Sequence, residues 1–319
     1  MPAPLLAAGA TVAVAGIIAT LFAGSDTFVD RPCEDFESYL SSQLVGQPLA
    51  LQQFSDAVCD HLAKDVSTKP LVVSFHGPPG VGKSLMHSLA ARALYNQKPE
   101  GALQCPGKDC AGYKVLYGLD YTATERQQQY LKLQEALVQH VRHHPNSLLV
   151  IEEYDKLDCP TRGMFRQLLE NPQVFNISLG GSIVLMESNM GYDQLYQLEQ
   201  EALRSGTTVQ PEAASKVLKD LVFSVWREGG CEGFTDTAKS VSLINFYLPF
   251  FPLRRPHIAQ LFEMKLRQRS QALALQGLPE LRWQQKVVEF LTAKVDFEGE
   301  HPVEGAKEIA RGGQKLEVV

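Results

Sequence analysis

The sequence predicts an α/β fold, a parallel sheet sandwiched by helices, followed by a small all-α C-terminal unit. Four short apolar or β-branched runs recur, at Leu71–Phe75, Lys114–Leu119, Leu148–Ile151 and Ser182–Met186. Stretches with apolar residues three and four apart separate several of them, such as Leu85, Leu89 and Leu94, then Tyr130, Leu133, Leu137 and Val141. Strands that are apolar without strict alternation are buried on both faces, which requires helices on either side of a parallel sheet. From Arg254 onward the helical period continues, with Ile258, Leu261, Phe262 and Leu266 on one face, then Val287, Val288, Leu291 and Val295.

Composition narrows the function classes. At about 150 residues per domain, a chain of 319 residues divides into roughly two units, or one plus a lid. A formal charge of −6 leaves no basic surplus to release counterions from phosphate, which argues against a general nucleic-acid binder. The basic clusters Arg142-His143-His144 and Arg254-Arg255 are too short to change that. At 45% hydrophobic residues, the bulk of the chain is not of the disordered type. Six cysteines are too few for a disulfide scaffold, though they do not exclude an oxidising compartment.

Along the chain, residues 1–25 carry no charged side chain, and Leu5 to Gly24 match the roughly 20 apolar residues that cross a bilayer. A cleaved signal peptide fits the small residues Ala23 and Ser25, although no basic stretch precedes it. An uncleaved membrane anchor fits the length. Residues 26–35 read as a linker, 36–253 as a large nucleotide-binding domain and 254–319 as a helical lid. Phe36 to about Lys69 has one helical pattern, carried by Leu44, Val45, Leu51, Phe54, Val58 and Leu62.

The strongest chemical signal is Gly77-Pro78-Pro79-Gly80-Val81-Gly82-Lys83-Ser84, which satisfies G-x-x-x-x-G-K-[ST] between an apolar strand and a helix. Its glycines let backbone N–H groups curl around phosphate oxygens at a helix N-terminus. Lys83 is expected to reach the β- and γ-phosphates of ATP, and the Ser84 hydroxyl to ligate Mg²⁺. The run Leu148–Ile151 ends in Glu152-Glu153, followed by Asp155. Glu152 at a strand tip is expected to organise Mg²⁺ and Glu153 to polarise the attacking water. The next strand ends in Ser188-Asn189, where Asn189 is placed to position that water. A single lysine such as Lys307 is, on sequence alone, an ordinary surface residue.

This set, two phosphate-site motifs, a strand-tip Asn and a helical lid, resembles AAA+ ATPases. Leu44-Val45-Gly46-Gln47 is similar to the adenine-side box of the Clp group, which puts Val45 and Gly46 beside the base. Leu243-Ile244-Asn245-Phe246-Tyr247-Leu248-Pro249-Phe250-Phe251-Pro252-Leu253 with His257, Ser188-Asn189-Met190-Gly191 and Gly305-Ala306-Lys307 are similar to the torsins, from about residue 33 to the end. The resemblance implies that Lys307 reads the γ-phosphate from the lid. It also implies the endoplasmic reticulum lumen or nuclear envelope, and a homo-oligomer or mixed ring with an activator that lends an arginine.

There are departures. Animal torsins end the phosphate loop with Asn, where this chain has Ser84. The lid cysteine beside the C-terminal Lys is Ala306 here, and its partner falls at Leu261, which puts a lid disulfide switch in doubt. No aromatic-glycine pore motif follows Leu119, although Tyr121 lies there, so polypeptide threading is not supported. Where Clp-type relatives carry a finger arginine, this chain reads Ser240-Val241-Ser242-Leu243, with nothing basic nearer than Lys239. The expected activity is therefore ATP hydrolysis, weak without an activator, that remodels protein or membrane assemblies. The rivals are an ATP-dependent structural assembly on a membrane with incidental turnover, and a P-loop kinase. In an oxidising lumen, Cys105 and Cys110 are a candidate local disulfide, and Asn176 begins the only glycosylation sequon.

Overall fold

A computed structural model describes residues 28–64, 68–96, 105–107, 110–121, 126–307 and 309. The apolar segment 1–25 lies outside them. Five parallel strands form the sheet: β1 (Leu71–His76), β2 (Tyr113–Tyr117), β3 (Leu148–Glu152), β4 (Ile183–Ser188) and β5 (Phe246–Pro249). Their spatial order is β2-β3-β4-β1-β5. This is the predicted parallel α/β sheet.

Alternation along each strand divides the core in two. Leu71, Val73 and Phe75 of β1, Leu148 and Val150 of β3, and Ile183 and Leu185 of β4 face one layer. That layer is built from α1 (Phe36–Gln43), α2 (Pro48–Leu62) and α3 (Lys83–Tyr95). Val72, Leu149, Ile151, Val184 and Met186 face the other. There the cover is α4 (Arg126–His143), α5 (Cys159–Glu170) and α7 (Pro211–Glu228). Because side chains in a strand alternate faces, an all-apolar run is what a sheet covered on both sides demands. Helices α6 (Tyr192–Ser205) and α8 (Phe234–Ser242) complete the segment before β5.

Three details differ from the sequence reading. The single helical pattern from Phe36 is broken between α1 and α2, where Gly46 takes φ +79° and Pro48 opens the next helix. Strand β5 pairs only with β1, at the sheet edge, where Pro249 costs no interior hydrogen bond. After α9 (Arg255–Leu275) and α10 (Gln285–Ala293), a short antiparallel hairpin of β6 (Phe297–Glu298) and β7 (His301–Pro302) precedes Gly305.

All six cysteines are paired. Cys105–Cys110, a candidate pair on sequence alone, is bonded. Cys33–Cys59 and Cys159–Cys231 are non-local, spanning 26 and 72 residues. Before α1 the chain runs beside α3: Val29 donates its N–H to the Leu94 carbonyl at 2.8 Å, and the Phe28 ring lies 5.2 Å from Tyr95.

Candidate nucleotide site

The loop between β1 and α3 turns on glycines in the left-handed region, Gly77 at φ +149°, Gly80 at +77° and Gly82 at +106°. A side chain at Gly80 would strike the Glu304 carbonyl, and one at Gly82 would strike Leu44. Glycine is thus required both by the backbone turn and by what packs on it.

Lys83, the first residue of α3, is 3% exposed. Its Nζ donates to the carbonyls of Gly77 and Pro78, both at 2.8 Å, and to Asn189 Oδ1 at 2.9 Å. Burial pushes the ammonium down to about 8; Lys307 adds to the fall, while Glu187, Asp155 and Glu152 oppose it. Lys83 follows β1 through the glycine loop and Asn189 directly follows β4, so the adjacency of these two strands helps bring them together. Asn189 is steadied by its neighbour: Ser188 Oγ donates to Asp155 Oδ1 at 2.8 Å and accepts from the Met190 N–H at 3.0 Å.

The register of β3 on β4 pairs Ile151 with Met186, so Glu152 and Glu187 emerge side by side. Ser84 Oγ donates to Glu187 at 3.0 and 3.1 Å. His87, one turn further along α3, sets Nε2 3.1 Å from Glu152 Oε1 and 3.5 Å from Glu187 Oε2. Burial alone would lower the His87 pKa; hydrogen bonds and charge from the two glutamates outweigh it and raise the net value. Glu153 follows in the left-handed region at φ 53°, with Gly118 so close to its carbonyl that a Cβ there would clash.

Val45 and Gly46 lie at the α1–α2 break, where Leu253 and His257 would meet any side chain on Gly46. Gln47 clamps this break to the phosphate loop and to β5's exit. Its amide donates to the carbonyls of Val81 at 3.3 Å and Phe251 at 2.8 Å, and accepts from the Phe251 N–H at 2.9 Å. From the C-terminal side, Ala306 N–H donates to the Gly80 carbonyl at 2.8 Å. Lys307 is exposed, yet close enough for its charge to act on Lys83. A cleft of about 650 Å³ lies between Pro78, Pro79, Asn189, Tyr192, His301 and Gly305.

The residues present fit a Mg²⁺–nucleotide. Left-handed glycines free backbone N–H groups for phosphate, Lys83 supplies a compact cation, and Ser84 with two carboxylates supplies hard oxygen donors. His87 and Glu187 were not singled out from the sequence. Their only signals were spacing, His87 four residues after Lys83 on one helix face and Glu187 directly before Ser188-Asn189.

The torsin family model matches residues 21–150. A torsin-like protein of Drosophila melanogaster is 25% identical over 250 residues, covering 76% of this chain and 69% of the relative. One of Caenorhabditis elegans is 23% identical over 234 residues, covering 72% of this chain and 63% of the relative. The chain is torsin-like. The chloroplastic chaperone protein ClpB2 of Oryza sativa subsp. japonica is 24% identical over 284 residues, 86% of this chain and 27% of the relative. That relative extends the likeness to the Clp-related AAA+ group. Among the described residues, no helix is long and apolar enough to cross a membrane.

Proposed function

We propose that this torsin-like chain binds Mg²⁺–ATP and hydrolyses it slowly, in the endoplasmic reticulum lumen or nuclear envelope, remodelling protein or membrane assemblies with a partner that supplies an arginine. The observation that carries the reading is the convergence on the phosphate loop of Lys83, Ser84 and Asn189 with Glu187 on β4 and Glu152 at the tip of β3. Gly77 to Ser84 hold the phosphates, with Lys83 on the β- and γ-oxygens; Ser84 and Glu152 hold the metal, which when bound neutralises charge on the transferring group. Glu153 accepts the proton of the attacking water, Asn189 orients that water, and Lys307 contacts the γ-phosphate. Val45 and Gly46 receive the base.

The missing finger arginine accounts for slow turnover. Where it would sit, Ser240 Oγ instead donates to Glu232 at 3.0 Å. Arg254 is engaged with Glu199 at 3.4 Å, and Arg255 lies over the Phe297 ring at 3.9 Å. Both are occupied within the chain, which favours an arginine from a partner, worth about 10³–10⁵ in rate. Three disulfides support an oxidising compartment, and Asn176 is exposed, as a glycosylation acceptor must be.

Steady-state hydrolysis by the purified chain over a wide concentration range, alone and with candidate membrane-anchored activators, tests the reading. Very slow turnover, accelerated by a partner and lost when that partner's arginine is replaced, is expected. Robust concentration-dependent turnover abolished by Arg254→Ala or Arg255→Ala overturns the borrowed-arginine step. ATP-driven filaments on membranes, with assembly unaffected by Glu153→Gln, would favour the structural alternative.

A further inference from the structure

We propose that His87, Glu152 and Glu187 form a site for a transition-metal dication, Zn²⁺ above all, that fills without nucleotide. The three ligand atoms lie within 4.8 Å of one another. In a tetrahedral site with bonds of about 2.0–2.1 Å, neighbouring ligand atoms sit about 3.3–3.4 Å apart. The observed separations from His87 Nε2, 3.1 Å to Glu152 and 3.5 Å to Glu187, bracket that edge. The third edge, between Glu152 and Glu187, lies within 4.8 Å, and an entering ion would set it by drawing the two carboxylates in.

The imidazole is held as a metal ligand needs to be. Its Nδ1 is 2.7 Å from the Tyr113 hydroxyl, so the outer nitrogen is tethered and Nε2 faces the carboxylates. In the metal-free chain Nε2 carries the hydrogen it shares with the glutamates; a metal ion takes the place of that hydrogen, leaving Nδ1–H to donate to the Tyr113 hydroxyl. The His87 side chain is 3% exposed and those of Glu152 and Glu187 are 19% and 13% exposed, so the donors are pre-positioned by packing.

Donor chemistry selects the ion. One imidazole and two carboxylates suit Zn²⁺, whereas Mg²⁺ favours six oxygens and keeps its waters. The donors come from three elements, α3, β3 and β4, that meet only through the sheet register.

The site overlaps the nucleotide's own metal position, because Ser84 Oγ already bonds both Glu187 oxygens. A tightly held Zn²⁺ therefore competes with Mg²⁺–ATP. That consequence rests on the nucleotide reading; the metal site does not.

The test uses the full chain, stripped of metal and nucleotide, titrated with Zn²⁺ alone against a chromophoric chelator. One equivalent is expected to bind with micromolar or tighter affinity. Tyr113→Phe should weaken it about 10–100-fold, as loss of an outer partner does, and His87→Asn and Glu187→Gln more. Circular dichroism confirms that each variant is folded, and Co²⁺ in place of Zn²⁺ should give a tetrahedral visible spectrum that His87→Asn abolishes. Absence of stoichiometric binding, or equal affinity in wild type, His87→Asn and Glu187→Gln, overturns the site. ATP affinity measured in parallel separates the two readings: Zn²⁺ bound at one equivalent with no ATP binding under any condition upholds the site while removing the nucleotide assignment.

Discussion

The main-chain N–H of Ala306 donates to the Gly80 carbonyl at 2.8 Å, which ties the C-terminal turn directly to the phosphate loop. Gly305, beside it, takes φ +61°, and a Cβ there would lie 2.6 Å from the Gly80 oxygen and 2.8 Å from its carbonyl carbon. Contact this close between two backbones leaves room for no side chain.

Gly305→Ala should therefore separate the two segments. Left-handed strain of about 1–3 kcal/mol adds to the clash, and the Gly80 carbonyl loses its partner. A lowered thermal midpoint together with a reduced preference for ATP over ADP is expected, because Lys307 moves with the turn. Wild-type values for both would mean that the turn does not position Lys307.

On the proposed reading, Lys83 sets a pH limit on nucleotide binding. Burial holds its pKa at about 8, so above that pH the free chain carries a neutral amine where phosphate needs an ammonium. Binding must then take up a proton, and affinity falls by up to about tenfold per pH unit above 8. For stability the sign is opposite. The unfolded chain keeps this proton up to the ordinary lysine value, so the penalty of the buried charge is relieved as pH rises through 8. Calorimetry in buffers of different ionisation heat measures the proton; equal affinity at about pH 7 and about pH 9.5 would contradict the assignment.

One buried and one half-buried histidine make the fold acid-sensitive. His76, under the phosphate loop, is pushed down to about 3 by burial and then by Lys83. His140 on α4 is pushed down to about 4 by burial, against a hydrogen bond to the Gly112 carbonyl. Both stay neutral in the folded chain while the unfolded chain protonates them near 6.5. Stability present above that value is lost as pH falls toward 3, at about 1.4 kcal/mol per pH unit for the fully buried His76. Urea midpoints at about pH 7 and about pH 5 should differ in that sense, and His140→Gln should narrow the gap.

The Cys159–Cys231 link joins α5 to the loop after α7 and closes 72 residues of separation. Replacing both with Ala should cost roughly 2–4 kcal/mol by freeing the unfolded chain. The loss should equal the part of the reductant effect that Cys33–Cys59 and Cys105–Cys110 do not explain. A double variant as stable as wild type, with the other two bonds intact, would remove the link's structural role.

How far each feature could be read from the chain follows its locality. The phosphate loop was legible because Gly77, Gly80 and Gly82 encode a backbone turn within eight consecutive residues. The four long strands were legible because Val72 and Val73, or Leu149 and Val150, are apolar on successive positions. Strand β5 was not, since four residues containing a proline have no readable period. The break at Gly46 was masked by Leu44 and Val45, which continue the apolar spacing although neither lies in a helix and Leu44 packs on Gly82 of the glycine loop.

The sequence by itself determined the parallel layered sheet, the glycine turn between β1 and α3 and the polar residues that stand at the strand tips. Each depends on backbone stereochemistry or on apolar periodicity among near neighbours. Only the tertiary structure decided that His87 meets Glu152 across 65 residues, that Cys159 meets Cys231, and that Gly305 rests on Gly80. Those meetings are set by sheet order and register. These in turn come from the packing of the two apolar faces as a whole, which no short stretch of sequence records.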